Sequence, residues 1–503
     1  MSHFNAADWF VIVAYLLGII ALGVWFGKDQ HTTKDYFLGS RNIPWWGVGL
    51  SIVATETSAL TFIAVPAMAY GGDNLTFIQI ITGYVIARII LAVVMVPHYF
   101  KGEIYSPYQM FGAAFGPAAR RTAGGFFLIA GTLAAGVRVY VTCIPLQLML
   151  GYSEREIGLI IVLFVVLSLI YTYIGGVKAV IWTDAVQFIL FMAGGLFTLC
   201  YIPTLVEGGW GGAMAKAADA GKLHWFNGEF TLAKPFNIWM GVIGATFLVL
   251  SSHGADQLIV QRVLTCKSVA DGRKALVLSA VIIFPLFLVF LLTGTMLWVY
   301  YQQFPDMPIA VPEARPGVGK NDYIYPIFIM TVIPHVLKGF LIVAILSAAM
   351  SSVSSALSAL ASVSTMDFVR GLAKSERDEA FYLKLSKHST VFWAAMLVVV
   401  AFATQQVESV LNVAFSLSGL TNGAMLGGLL LVIGWKRGHA LPIVAGMLAS
   451  LATMLVIHAK WKAVIAWPWF TLIGCTVTIG VALVVRATMT PRKGLDQPSA
   501  RVP

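Results

Sequence analysis

The chain alternates long apolar blocks with short polar breaks. Blocks long enough to cross a bilayer core of about 30 Å, or nearly so, occupy 9–27, 44–70, 76–99, 122–150, 157–174, 178–205, 236–261, 274–300, 326–366, 388–404, 407–434, 439–458 and 466–486. The pattern predicts an all-α, polytopic membrane protein of about 13 transmembrane helices. Several blocks exceed a bare span, so tilt or extension past the bilayer is expected. The connections at about 206–235 and 301–325 mix Gly, Pro and charge, which predicts short surface helices or lids rather than separate domains.

Two blocks are interrupted by polar residues. In WWGVGLSIVATETSALTFIAVPAMAYGG the middle, Ala54 to Thr61, is polar, contains Glu56 and is followed by Pro66. A polar break at membrane depth is tolerated only inside protein or beside a water-filled cavity. Transporters use such breaks to free carbonyls for cations and N–H groups for anions. A kinked helix with back-bonded hydroxyls is the plainer alternative, but an intramembrane acid is expensive and usually functional. The second break, Ser251-Ser252-His253-Gly254-Ala255-Asp256, falls five spans later. That offset suits two five-helix inverted repeats with a site at their interface. His253 alone reads as well as a packed or capped residue as it does a ligand.

Three further charges within blocks bear on the chemistry. Asp184 lies roughly 9 Å beyond Lys178 at 1.5 Å per residue, and is read as a cation ligand or as a buried, paired acid. Arg138 sits near mid-span, either paired structurally with Glu56 or presenting a fork to a substrate carboxylate. Arg88 is read as structural.

Residues 346–362, LSAAMSSVSSALSALAS, carry Ser347, Ser351, Ser354, Ser355, Ser358 and Ser362 in one stripe at helical spacing. Small residues commonly serve close helix packing, which accounts for Ser347, Ser358 and Ser362. The pairs Ser351-Ser352 and Ser354-Ser355 fit a different use. Hydroxyls joined with carbonyls freed by the first break make one set of hard-cation ligands, and hydroxyls joined with Asp184 make another.

Composition agrees with the pattern. The 503 residues are 58% hydrophobic and 11% charged, against about 25% charged in typical soluble domains. The net charge of +10 is explained without nucleic acid. With the N-terminus outside and the C-terminus cytoplasmic, roughly 22 bases fall in inner loops against roughly eight in outer ones. The inner set includes Lys28, Lys34, Lys101, Arg120, Arg121, Arg262, Lys267, Arg370 and Lys374. The first block is read as a retained span, because no basic n-region or cleavage site accompanies it. Cys143, Cys200, Cys266 and Cys475 form neither a disulfide framework nor a zinc spacing. No metal cluster or activated nucleophile stands out, so an enzyme is not expected, and neither is an appended soluble domain.

These residues resemble the solute:sodium symporter family from about residue 8 to about 440. DYFLGSRNIPWW is similar to that family's first-loop signature, and SIVATETSALTFIAVPAMAY to its broken first core helix. YTYIGGVKAVIWTDAVQ and AAMSSVSSALSALASVSTMDF match two further stretches in the expected order. The resemblance implies a LeuT-like 5+5 inverted-repeat core. Residues 1–43 would hold the first helix and a cytoplasmic loop, 44–207 the first repeat, 208–235 an extracellular loop and 236–438 the second repeat. Two C-terminal helices would occupy 439–486 and a cytoplasmic tail 487–503. It further implies alternating access driven by sodium, with no cofactor beyond that ion.

Carried over by motif, a first sodium site would use backbone oxygens of Ala54, Thr57 and Ala348 with the hydroxyls of Ser351 and Ser352. A second would use Asp184, Ser351, Ser354 and Ser355, giving two ions per cycle. Glu56 matches an acid of the proline-transporting branch. Ser251-Ser252 stand where the sugar-transporting branch has an aromatic pair. Ser58, Thr61 and Arg138 resemble the sialic-acid-transporting branch, and Gln79 matches a polar ligand loosely.

The expected protein is a multi-pass bacterial inner-membrane symporter, working as a monomer in the lipid bilayer. It would import a small organic carboxylate, a sialic acid or smaller. A sodium/amino-acid symporter of proline type is the next reading, then a sodium/sugar symporter, then a membrane sensor.

Overall fold

The computed structural model describes residues 4–489 apart from 29, 152–155, 312, 316–317, 374, 376, 405–409 and 462. The expected cytoplasmic tail beyond Met489, and Lys374, lie outside the described residues.

Helix α1 (Ala6–Phe26) opens with a reciprocal cap: the Asn5 side chain accepts from the Ala7 and Asp8 N–H groups, and Asp8 accepts from Asn5 N–H at 3.0 Å. A short helix α2 (Thr33–Leu38) follows, capped the same way by Thr32 and Asp35 and ended by Gly39 at φ +53°. The first interrupted block becomes α3 (Trp45–Glu56) and α4 (Ala59–Gly71), bent by 58°. Between them Thr57 and Ser58 are extended (ψ 129° and 175°), so the chain leaves helical geometry at the polar break the sequence marks.

Helix α5 (Ile78–Ile90) runs through a π-turn into α6 (Val96–Tyr99). The short α7 (Tyr108–Phe115) and the long α8 (Pro117–Leu150) come next. Helix α9 (Ile157–Leu205) has 49 residues, about 74 Å at 1.5 Å per residue, more than twice a bilayer core. It is kinked where Gly176 takes φ +54°, between the two blocks the hydropathy pattern separates.

The connection to the second half carries α10 (Gly209–Asp219), a surface helix as expected. The second interrupted block forms a π-turn at Met240–Ala245, then α11 (Thr246–Gly254) and α12 (Gln257–Val263), bent by 64°. Asp256 sits at the break and accepts from the Leu258 N–H at 2.8 Å, capping α12. Helix α13 (Val269–Gln303) leads to a connection with a small hairpin, β1 (Glu313–Arg315) and β2 (Val318–Gly319). The block read as one span over 326–366 is divided: α14 (Ile324–Thr331) ends before Pro334, and α15 (Leu337–Ser362) starts anew after Val336 at φ +73°. Helices α16 (Glu379–Thr404), α17 (Val410–Trp435), α18 (Ala440–Lys460) and α19 (Phe470–Thr488) complete the bundle.

Among the described residues, nine helices are long and apolar enough to cross a membrane, or eleven counting each bent pair as one. Large apolar side chains such as Phe10, Leu17, Ile129, Val281 and Val484 are exposed, as a lipid-facing surface requires. Helix α15 runs through the centre, packed on α9, α1, α16 and α8 and buried along nearly its whole length. Its start is held by α1: Asp8 accepts from the Val336 N–H (2.7 Å) and Gly339 N–H (3.3 Å) and faces His335. On the same face the Lys222 ammonium donates to the Tyr70 and Gly71 carbonyls, both at 2.9 Å, capping the orphan end of α4. The opposite face holds ion pairs between loops: Lys34–Glu103 at 2.8 Å, Arg120–Asp367 at 2.7 Å and Arg370–Glu379 at 2.7 Å.

Candidate functional site

The two breaks border one cavity of about 220 Å³. Thr55 and Glu56 come to it from α3, Ser251, Ser252 and His253 from α11, and Asp256 from the second break. Arg138 enters from α8, Thr421 and Asn422 from α17, and Tyr84, Tyr108, Phe126 and Phe127 supply aromatic wall. A mostly apolar concavity with a few convergent polar groups is the usual form of a small-molecule site.

Glu56 is engaged by Arg88, not Arg138. The Arg88 guanidinium ion-pairs with the Glu56 carboxylate, and donates to Ser279 Oγ at 3.1 Å and to the Tyr84 carbonyl at 3.0 Å. His253 Nε2 lies 3.1 Å from Arg88 Nη2 and 3.6 Å from Glu56, and His253 Nδ1 lies 3.0 Å from Ser252 Oγ. The sequence alternative of a Glu56–Arg138 pair is therefore corrected: the acid's partner is Arg88 of α5, and the structural reading of Arg88 stands. Ser251 is committed to the Asn422 carbonyl at 2.7 Å.

Arg138 is different. Among the described residues its guanidinium makes no hydrogen bond or ion pair, yet it is largely buried at mid-helix and lines the cavity. An intramembrane cation of that kind is costly unless something pairs with it. Asp256 shares the wall, but one of its oxygens is occupied by the α12 cap.

The expected sodium ligands lie along α3 and α15. Ala54, Thr57, Ala348, Ser351 and Ser352 are all buried. Ser352 donates back to the Ala348 carbonyl at 3.2 Å, and Thr57 to the Val53 carbonyl at 2.8 Å. Such back-bonds use each hydroxyl as a donor and leave it free to accept. Asp184, Ser351 and Ser355 are brought together as the sequence suggests, but around Arg262. Ser351 donates to Asp184 Oδ1 at 2.7 Å and Ser51 to Oδ2 at 2.6 Å. Arg262 donates to Asp184 Oδ2 at 3.1 Å, to Ser51 Oγ at 2.9 Å and to Ser355 Oγ. Ser354 turns away to the Ser351 carbonyl at 3.1 Å. The sequence reading that put Arg262 in an inner loop is corrected: the bend at Asp256 carries α12 back into the bundle, and Arg262 is fully buried. Nothing in its flanking residues marks this, since Lys267 and Arg273 follow closely.

The remaining expected contacts lie elsewhere. Ser58 and Thr61 start α4, where Thr61 Oγ1 accepts from the Ser58 N–H at 3.3 Å, and neither borders the cavity. Gln79 is also outside it: its amide donates to the Phe236 carbonyl at 3.0 Å and accepts from the Asn227 N–H at 3.1 Å, tying α5 to the 227–237 segment. Asp256 and the aromatic wall were not singled out as site residues in the sequence. Their signal was the bend itself, which aims whatever flanks it at the cavity.

Residues 36–450 match the model of the sodium:solute symporter family. The chain is 29% identical to the sodium/sialic acid symporter SiaT of Proteus mirabilis, covering 99% of this chain and 98% of that protein. It is 30% identical to the sodium/sialic acid symporter NanT of Aliivibrio fischeri, over 91% of this chain and 89% of that one. Mouse sodium-coupled monocarboxylate transporter 1 is 25% identical, over 90% and 73%. Among solved structures, a substrate-bound, outward-open Na+-coupled sialic acid symporter superposes with a TM-score of 0.87 at 28% identity, covering 98% of this chain and all of that one. The nucleobase-cation-symport-1 family transporter MHP1 superposes with a TM-score of 0.55 at 13% identity, over 90% and 94%, and shares the fold.

Proposed function

The chain belongs to the sodium:solute symporter family, and on that premise we propose that it imports an organic acid, a sialic acid or a smaller carboxylate, bound at the Arg138 cavity. The observation that carries this reading is the Arg138 guanidinium on the wall between the two broken helices, with no hydrogen bond or ion pair to a described residue. A carboxylate supplies the two acceptors that a guanidinium fork matches, and the aromatic wall covers the apolar body of the solute. The sialic-acid symporters among the relatives support the larger acid, and the monocarboxylate transporters the smaller.

Sodium coupling is the family's mode. The first sodium ion is assigned to the carbonyls of Ala54, Thr57 and Ala348 with the hydroxyls of Ser351 and Ser352, one turn from the cavity residues Thr55 and Glu56. Sodium there steadies the extended Thr57–Ser58 segment, so ion and solute raise each other's affinity by the same factor. Ser58 and Thr61 serve this reading as outer contacts on the way to the cavity, whereas the buried Gln79 amide is committed to the 227–237 segment.

One observation favours a zwitterion as the second reading. Asp256 faces the same cavity, so an amino acid could span Arg138 and Asp256. A sugar is disfavoured, because Ser251 is spent on the Asn422 carbonyl and offers no stacking surface.

The protein is a multi-pass membrane protein. Dividing α9 at Gly176 and counting α17 gives about 13 crossings, with repeats at 44–207 and 236–438 and a bacterial inner-membrane location. The face that gathers Lys34, Arg120 and Arg370 is cytoplasmic by the positive-inside rule, which puts the N-terminus outside. A single chain contains the whole cavity, in keeping with a working monomer.

The test is the thermal midpoint of the purified protein in sodium and in potassium with sialic acid, pyruvate, proline and glucose. A ligand stabilises the state that binds it. A sodium-dependent shift with an acid, absent in Arg138→Gln, is the expected result. A shift with glucose that survives the substitution would remove Arg138 from the site.

A further inference from the structure

Among the described residues, the charged side chains that line the cavity are Glu56, Arg138 and Asp256. Glu56 is matched by Arg88. A guanidinium only donates, so His253 Nε2 accepts from Arg88 and the imidazole is neutral. That leaves Arg138 of α8 and Asp256 of the second break as opposite charges on one wall, in no ion pair with a described residue. Asp256 Oδ1 is held by the Leu258 N–H at 2.8 Å, which fixes the carboxylate at the bend. Oδ2 has no hydrogen bond to a described residue, and the two charges act on each other across the cavity.

Asp256 also stands on the way out. Its neighbour Gln257 donates from its backbone to Tyr108 Oη at 3.3 Å, and from its side chain to the Tyr105 carbonyl at 2.7 Å and Ser362 at 3.2 Å. The Tyr108 ring lies 5.6 Å from that of Phe127. Phe127 precedes Arg138 on α8 by about 16 Å of helix rise, toward the end that carries Arg120. Asp256 therefore lies between Arg138 and the base-rich face assigned above to the cytoplasm. A carboxylate that leaves Arg138 for that face passes it.

We infer that Asp256 is the counter-ion that replaces the solute: it balances Arg138 when the carboxylate leaves and yields when the next one binds. The inference rests on the carboxylate reading of the cavity. A guanidinium left alone at membrane depth is costly. Two carboxylates crowding one guanidinium repel each other, so solute and Asp256 compete for it. The competition has two effects. The solute is held less tightly than Arg138 alone would hold it, which favours release. The emptied cavity carries no net charge, which lets the empty carrier turn outward again.

Asp256→Asn and Asp256→Ser test this, because both remove the charge and keep a residue that caps a helix. The full chain is placed in proteoliposomes with labelled sialic acid or pyruvate outside, and the lumen is either free of solute or loaded with the same unlabelled acid. Net uptake into solute-free vesicles requires return of the empty carrier, whereas exchange with loaded vesicles does not. With a charge-assisted competitor gone, both variants are expected to bind the acid roughly tenfold more tightly by isothermal titration. The ratio of exchange to net uptake is expected to rise by a similar factor, about tenfold, as return of the empty carrier slows.

A wild-type ratio overturns the proposal, and so does binding no tighter than wild type. Weaker binding would place Asp256 on the solute itself, as the zwitterion reading has it. Failure of both variants to fold would make the charge structural and would also overturn it. The carboxylate reading fails separately, and takes this proposal with it, if wild type binds neither acid or if Arg138→Gln binds one as tightly as wild type does.

Discussion

The Arg88 guanidinium is ion-paired with the Glu56 carboxylate at the end of α3, where the first core span breaks. The pair joins α5 to the break, and its members differ in surroundings. Arg88 is fully buried, whereas the Glu56 side chain keeps 14% exposure toward the cavity. Arg88 also serves Ser279 and the Tyr84 carbonyl, so the acid is the smaller part of a larger anchor.

The two single neutral substitutions are therefore unequal. Glu56→Gln strands a guanidinium with no water and is expected to cost about 3–5 kcal/mol, the usual loss for half of a buried pair. Arg88→Gln leaves a carboxylate that cavity water can reach and costs less. The double variant recovers much of either loss. Chemical denaturation in detergent measures all three, and equal losses from the two single variants would contradict this picture.

Arg138→Gln removes no hydrogen bond or ion pair to a described residue, so the fold is expected to stand. Its effect falls on the solute. Charge-assisted hydrogen bonds contribute about 1.5–3 kcal/mol, which raises KM for a carboxylate roughly 10- to 150-fold. Arg138→Lys keeps the charge but loses the fork, and gives an intermediate KM. Uptake into proteoliposomes reads this directly. An unchanged KM in Arg138→Gln would show that the guanidinium does not meet the solute.

What the sequence made legible was what the bilayer dictates. Span length, the polar break at Thr57 and the base-rich face follow from dehydrating a helix, and each survives in the structure. Partnership was not legible in the same way. For Glu56 the sequence offered Arg138 as a partner, and only the packing of α5 against the break chooses Arg88. Arg262 closes an apolar block beside Lys267, the pattern of a loop, yet the 64° bend at Asp256 turns it inward. The divided 326–366 block had its signal in Pro334, whose missing N–H ends α14.

Gly176 tests the kink that makes two spans of α9. With φ +54° and ψ −155° it takes a conformation nearly confined to glycine and strained for any L side chain, at about 1–3 kcal/mol. A Cβ there would also sit 2.5 Å from the Tyr36 carbonyl oxygen of α2, which is backbone and cannot rotate away. Gly176→Ala is expected to destabilise by more than that strain alone and to loosen α2. Gly125→Ala in α8 is the control, since its Cβ meets nothing within 4 Å, and it is expected to be neutral or to gain up to about 1 kcal/mol. Thermal midpoints of the two variants, one well below wild type and one at or above it, are the expected pattern.

The serine stripe divides by partner. Ser358 and Ser362 accept from Gln261 and Gln257, so their hydroxyls join α15 to α12. Helix α15 also packs against α3 and α4, and Ser351 and Ser352 are the hydroxyls assigned to the first sodium ion. Alanine at 358 or 362 therefore strands a buried glutamine and is expected to cost about 1–3 kcal/mol of stability, with little change in the sodium concentration for half-maximal uptake. Alanine at 352 removes only a back-bond to the Ala348 carbonyl, so stability changes little. If its hydroxyl is a sodium ligand, half-maximal sodium rises roughly tenfold or more, the equivalent of one hydrogen bond of about 1.4 kcal/mol. Sodium-dependent uptake beside thermal midpoints separates the two groups. A Ser352→Ala variant with wild-type sodium dependence would return the whole stripe to helix packing.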